Sequence, residues 1–307
     1  MAVDIPNYRI VEKLGVGAES RIFRARCMRT GKDYTVKIVK VVKPEDANFV
    51  ELLRNEYAIG SNIDHPVIRK VYDLRLMRQR LRVRGAILFM EYVDGISLAH
   101  KEFDRPLVDV LRIFAESARG LDAMHRAGFV HADLKPNNIM VTSDGQVKLI
   151  DLGQSARIHE AKARIQGTID YIAPEQISRD VLDQRTDVFG LGATLYRVLT
   201  GRAVRTGMNQ TISIHAQGLV GRRLDEIHEA PGPDLPPVVV RLIEDCCRPN
   251  PDDRIPDMTR FIERVQLALT TIDRQIARLR DAAERQPGED EEDSALEQAP
   301  DPSAGEN

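Results

Sequence analysis

The run His131-Ala132-Asp133-Leu134-Lys135-Pro136-Asn137-Asn138 is followed downstream by Asp151-Leu152-Gly153. Within 21 residues it offers a carboxylate able to act as a base, a lysine able to bind phosphate, and two oxygen donors suited to magnesium. Phosphoryl transfer asks for these parts and little else. It needs an aligned acceptor hydroxyl, screened phosphate charge and a bound metal. A lone His-x-Asp would be ordinary, because such a histidine more often packs in a core than does chemistry. The complete run in this order is far more specific.

Two upstream segments bear on the same chemistry. Gly15-Val16-Gly17-Ala18-Glu19-Ser20 lies between two stretches of strand character. A Gly-rich hairpin lets backbone amides approach phosphates without a side-chain clash. Alone it is a weak signal, equally readable as a plain turn. Lys37 sits in Thr35-Val36-Lys37-Ile38, and a strand lysine is generically a solvated edge residue. The distance between the two segments gives both more weight.

Together these segments resemble the eukaryotic-type Ser/Thr protein kinases, over roughly residues 8–270. The resemblance implies an α+β, two-lobed fold, with a small β-rich N-lobe carrying one main helix and a larger, mainly helical C-lobe. It implies ATP and Mg2+ as cofactors, with Mn2+ as a substitute. Asp133 is then the catalytic base and Lys135 the cation that balances charge on the transferring group. Asn138 and Asp151 are the metal ligands. Lys37 pairs with phosphates and with a helix glutamate. Glu56, nine residues before His65-Pro66, is the expected partner, and Glu51 its competitor. Gly15 and Gly17 lie over the phosphates. Ile22, Thr35 and Met140 sandwich the adenine, Glu91 and Val93 offer backbone hydrogen bonds to its edge, and Met90 guards the deeper pocket.

Gly167-Thr168-Ile169-Asp170-Tyr171-Ile172-Ala173-Pro174-Glu175 resembles the end of an activation segment. Thr168 is expected to bond to Asp133 and Lys135, which favours Ser or Thr over Tyr as acceptor. Glu175 is expected to pair with Arg254, and Asp187 to cap the catalytic loop from a buried helix start.

The departures from the family pattern are informative. Ala132 stands where an arginine usually receives the charge of a phosphorylated loop. Ser155 is the one hydroxyl residue between Asp151 and Gly167. Activity independent of loop phosphorylation is therefore expected. Ser20 replaces a third glycine, Thr35 a small alanine, and Leu152 the usual phenylalanine. Gly60 stands where a larger apolar side chain would brace the helix of Glu56. Glycine costs roughly 1 kcal/mol against alanine in a helix interior, or it ends the helix there; in either case the Lys37–Glu56 pair is expected not to be strongly fixed without help.

The chain of 307 residues suffices for this architecture, and 42% hydrophobic residues can fill its core. The reading divides it into an N-lobe (8–92), a C-lobe (93–270), a helical extension (271–286) and an acidic tail (287–307). The tail holds eight acidic residues and no basic one, and its composition predicts disorder. A net charge of −3 gives no nucleic-acid signature. The three cysteines form no metal-spacing motif. No segment has the roughly 18 apolar residues of a membrane span, and Met1–Asn7 lacks the apolar core of a signal peptide. A cytoplasmic protein is expected.

Two features raise the matter of partners beyond a Ser/Thr protein substrate. Arg75, Arg78, Arg80, Arg82 and Arg84 cluster between two strands. They read either as a solvated hairpin or as a docking patch, with the even-numbered residues on one face. Met258, Ile262, Val265, Leu269, Ile272, Ile276, Leu279 and Ala283 recur in steps of four and three. Past residue 270 this stripe either docks back onto the chain, meets a second copy, or remains a loose helix. Two rival functions share the fold: a small-molecule kinase, and a pseudokinase-like binding module. The Thr168–Glu175 segment argues against the first, and the intact Lys37, Asp133, Asn138 and Asp151 against the second.

Overall fold

The structure, a computed structural model, describes residues 5–16, 20–80, 82–204 and 235–284. Gly17 and the acidic tail lie outside the described residues.

Five antiparallel strands form the small-lobe sheet: β1 (Tyr8–Val16), β2 (Ser20–Cys27), β3 (Asp33–Lys40), β4 (Val71–Gln79) and β5 (Arg82–Glu91), in the order β1-β2-β3-β5-β4. Alternation along the strands gives the sheet two apolar faces. Val36, Ile38, Ile87 and Phe89 point to one face, where Ile5 and Ala25 join them. Val39, Val71, Ala86, Leu88 and Met90 point to the other, where Val50 and Leu53 of helix α1 (Ala47–Gly60) cover them. Before α1, the Asp46 carboxylate accepts the Val42 and Lys43 amides, each at 2.8 Å, and so fixes where the chain turns into the helix.

Gly60 closes α1 rather than loosening it. A Cβ there would lie 2.4 Å from Val71 Cγ2 and 3.5 Å from Leu152 Cδ1. The side chains of Val71 and Leu152 occupy the space that a larger residue at 60 would take. The helix ends at Gly60, one of the two expected cases, and packing at that position is supplied from outside the helix.

The large lobe is built on α2 (Leu107–Arg126), α4 (Gln184–Thr200), α5 (Pro237–Cys246) and α6 (Met258–Glu284), with the short α3 (Pro174–Ser178) between the first two. Asp183 caps α4 by accepting the Arg185 amide at 2.8 Å, and Gly201 ends it at φ 71°. Phe114, Leu121 and Met124 of α2 meet Met258, Phe261 and Val265 of α6 in one continuous core. Two small antiparallel sheets sit at the lobe's upper edge. One joins β6 (Gly95–Ser97), β8 (Ile139–Thr142) and β9 (Val147–Leu149). The other pairs β7 (Phe129–Val130) with β10 (Ala156–Arg157). These strands hold the two loops that carry Asp133 and Asp151.

Arg75, Arg78, Arg80, Arg82 and Arg84 are all exposed, as the solvated-hairpin reading has it, and the even-numbered ones do not share a face. Arg78 lies opposite Val83 and Arg82 opposite Gln79, so the two point to opposite faces of the ribbon. A bulge at Arg84 breaks the alternation, and Arg80 is a turn residue at φ 53°. Arg75 lays its guanidinium 4.3 Å from the centre of the Phe89 ring while remaining exposed. In α6, Ile272 is buried, whereas Ile276 and Leu279 are 40% and 64% exposed. That end of the helix does not dock onto the described part of this chain.

Candidate active site

The catalytic loop runs from β7 to β8. Its shape depends on Asp187, buried near the start of α4. One Asp187 oxygen accepts the Ala132 amide, and the other accepts the His131 amide and meets His125 Nε2, all at 2.8 Å. Burial would push this carboxyl up; His125, His131 and the Ala132 amide hold it below the usual range. Ala132 adopts φ 57°, a costly conformation for a residue with a Cβ. Its carbonyl accepts Gln176 Nε2 at 2.9 Å, which helps hold it there.

This frame brings the predicted chemical groups together. Lys135 Nζ donates to Asp133 Oδ2 at 2.8 Å and to Thr168 Oγ1 at 2.9 Å. Thr168 Oγ1 in turn donates to Asp133 Oδ1 at 3.0 Å. The Asp133 carboxylate is thus already bonded to a hydroxyl, with an ammonium beside both. Asn138 Nδ2 donates to the Asp133 carbonyl at 2.8 Å, which turns its amide oxygen to the other side.

Asp151 stands at φ 64° just beyond β9, another strained non-glycine position. Lys37 Nζ on β3 lies 2.8 Å from Asp151 Oδ1 and 2.9 Å from Glu56 Oε2. Glu56 is the partner and Glu51 is not: Glu56 is 1% exposed, whereas Glu51 faces solvent and pairs with Arg54. Burial would push the Asp151 carboxyl up. Lys37 beside it, with Arg69 and Lys135 farther off, holds it down at about 2. Burial also opposes the Lys37 charge, but Glu56 and Asp151 raise its affinity for the proton overall. Both groups are ionised at neutral pH.

The donor chemistry fits magnesium. Among the described residues, no cluster of three or more His, Cys, Asp and Glu side chains could hold a metal alone. Asp151 and Asn138 would supply two hard oxygens, and the rest would come from phosphates and water, as magnesium prefers.

Of the expected nucleotide contacts, Gly15 and Ile22 face each other across β1 and β2, and Ile22 pairs with Lys37 across β2 and β3. Thr35 is buried and pairs with the fully buried Met90. Met140 lies on β8 opposite Ser97 and Lys148. Val93, also buried, follows the β5 strand. The Glu91 amide donates to the Lys70 carbonyl at 2.8 Å, so a nucleotide bond from Glu91 would have to come from its carbonyl.

Three residues absent from the sequence reading complete the site. Arg69 Nη2 reaches Glu56 Oε1 at 3.2 Å. Asn55 Nδ2 forks to the carbonyls of Gly153 (3.0 Å) and Ser155 (2.8 Å), tying α1 to the Asp151 loop. Lys148 Nζ grips both oxygens of Glu91, at 2.8 and 3.0 Å, and steadies the connection between lobes. Glu175 and Arg254 form a two-pronged pair at 2.7 Å on each side, as expected.

Two lobes, a buried lysine–glutamate pair and a carboxylate next to an ammonium make up the arrangement of the protein-kinase fold. A family model described as the protein kinase domain matches residues 8–264. The chain belongs to that family, in its eukaryotic-type Ser/Thr branch. The serine/threonine-protein kinase PknB of Mycobacterium tuberculosis (strain ATCC 25618 / H37Rv) is 32% identical over 262 residues, 81% of this chain and 40% of that protein. PknB of Mycolicibacterium smegmatis is 30% identical over 264 residues, with the same coverage. PknA of Mycobacterium tuberculosis (strain ATCC 25177 / H37Ra) is 32% identical over 255 residues, 80% of this chain and 57% of that protein. The chain thus spans less than half the length of the PknB relatives.

Proposed function

We propose that this chain transfers the γ-phosphoryl group of ATP, with magnesium, to serine or threonine hydroxyls of proteins, and that it does so without loop phosphorylation. The observation that carries the reading is the Asp133–Thr168–Lys135 triangle. Asp133 accepts a bond from a hydroxyl, so it can orient an incoming serine or threonine and take its proton. Lys135, bonded to both, would offset negative charge on the group in flight. Lys37 would hold the non-transferring phosphates, and Glu56 would hold Lys37. Asp151 and Asn138 would hold magnesium, which screens the phosphate charge when bound.

Ser155 supports the second half of the proposal. It is buried, and its hydroxyl donates to the His131 carbonyl at 3.3 Å. It is a poor acceptor for another kinase, and Ala132 offers no cation to receive a phosphate. The buried, unpaired thiols of Cys27 and Cys246 fit a reducing, cytoplasmic setting. Beyond the substrate, the exposed end of α6 and the arginine hairpin are the surfaces on which we would place a second copy or a regulatory protein. Among the described residues no helix is long and apolar enough to cross a membrane.

The test is transfer from labelled ATP to the protein itself and to a generic basic protein, using phosphatase-treated enzyme with Asp151→Asn alongside. Label on serine and threonine that disappears in the variant supports the proposal. Transfer to a small molecule alone, or tight magnesium–ATP binding without transfer, overturns it. Activity that appears only after loop phosphorylation overturns the regulatory half.

A further inference from the structure

We propose that Arg69 is a positioning residue, which holds Glu56 and helix α1 in the arrangement the nucleotide site requires, independently of Lys37. The inference rests on the kinase reading above and extends it to how the active arrangement is maintained.

The two oxygens of Glu56 have different cations. Oε2 is held by Lys37 at 2.9 Å and Oε1 by Arg69 at 3.2 Å. The Lys37 hold is shared, since its ammonium also lies 2.8 Å from Asp151 and is the group that phosphates would claim. Among the described residues, Glu56 is the ion-pair partner of Arg69. When Lys37 turns toward phosphates, Arg69 keeps Glu56 in place.

The mounting of Arg69 explains why this hold is firm. Its amide donates to the Leu149 carbonyl at 3.0 Å, and the Leu149 amide donates to Val67 at 2.7 Å. Leu149 ends β9, two residues before Asp151. The Arg69 backbone is thus stapled to the strand that leads to the metal-binding aspartate, while its side chain reaches α1. If α1 swung away from the cleft, a guanidinium only 10% exposed would lose its carboxylate. Breaking one side of a buried pair is the costly case, because it leaves an uncompensated charge. Ala132 cannot receive a loop phosphate, and Arg69 supplies from the core a constraint on α1 that does not depend on one.

The experiment is a double-mutant cycle on the full chain. Binding of a non-hydrolysable ATP analogue with magnesium would be measured for the wild type, Arg69→Met, Glu56→Gln and the double variant. Arg69→Met should weaken binding on the order of 3- to 100-fold, the range of coupling between residues that touch. In the Glu56→Gln background the same change should have little effect, within about 2-fold. Arg69→Lys, which keeps the charge, should recover much of the loss. Equal losses in both backgrounds would mean that Arg69 only fills space, and would overturn the proposal. If Arg69→Met does not fold, Arg69→Gln takes its place under the same criterion. Because the readout is binding, a wild type that binds the analogue yet transfers nothing would defeat the kinase reading while still testing Arg69.

Discussion

Glu175 and Arg254 satisfy each other, whereas Lys37 and Asp151 hold capacity in reserve. In the large lobe, the Arg254 guanidinium meets both oxygens of Glu175, and its remaining N–H groups find the carbonyls of Arg248, Pro249 and Arg185. Thr186 adds a donor to the same carboxylate at 2.9 Å. Nothing is left for a ligand. Across the cleft, Lys37 is divided between two carboxylates, and the Asp151 side chain is 37% exposed. A saturated buried pair organises the fold; an unsaturated one of similar chemistry can do work on a substrate. The difference lies in how many hydrogen-bond partners the surroundings supply, chiefly backbone carbonyls that accept from Arg254, not in residue type.

The contrast can be broken from either side. Asp133→Asn should lower kcat by about 10²- to 10⁴-fold, the usual contribution of a positioned base, with the melting temperature nearly unchanged. Single-turnover transfer of labelled phosphate, together with calorimetry, checks both halves. Glu175→Gln should act in the opposite way. Leaving Arg254 partly unpaired in the core should cost roughly 3–5 kcal/mol of stability, read from urea unfolding. Adding Arg254→Met should return much of that loss, since no charge is then buried alone.

Gly60→Ala tests the join between the two regions. The new Cβ would press on Val71, and overpacking of this kind costs about 1–3 kcal/mol. Val71→Ala in the same chain should relieve it, and nucleotide affinity should follow the same pattern as stability.

The smallest expected effect is on acid stability. Asp151 is held at about 2, below its ordinary 3.8. A depressed folded-state value stabilises the fold above the unfolded value and is lost as pH falls through the folded one. The contribution should therefore be intact above pH 4 and fade between about 4 and 2. Asp151→Asn should flatten that limb of the urea midpoint against pH, whereas a steeper limb in the variant would contradict the assignment.

Legibility in the sequence followed chain distance. Asp133, Lys135, Asn138 and Asp151 lie close along the chain, and their order alone pointed to metal-assisted phosphoryl transfer. The strands from Tyr8 to Cys27 were likewise readable, because alternation and turn glycines are local signals. Glu56 could be chosen over Glu51 by its spacing to His65-Pro66. Arg69, Asn55 and Lys148 left no local trace, since their partners lie 13, 98 and 57 residues away. Whether the hairpin arginines share a face was not legible for a related reason: simple alternation assumes an unbroken ladder, and the bulge at Arg84 breaks it.

The sequence by itself determined the chemistry on offer, because motif spacing is a property of neighbouring residues, and the two-lobed plan came with the family resemblance those motifs carry. Only the tertiary structure decided how firmly that chemistry is held. Gly60 looked like a weakness until Val71 and Leu152 were seen in its place, and Arg69 looked like any cation until it was found buried against Glu56. Packing and desolvation depend on what surrounds a group in space, and no local pattern in the chain records that.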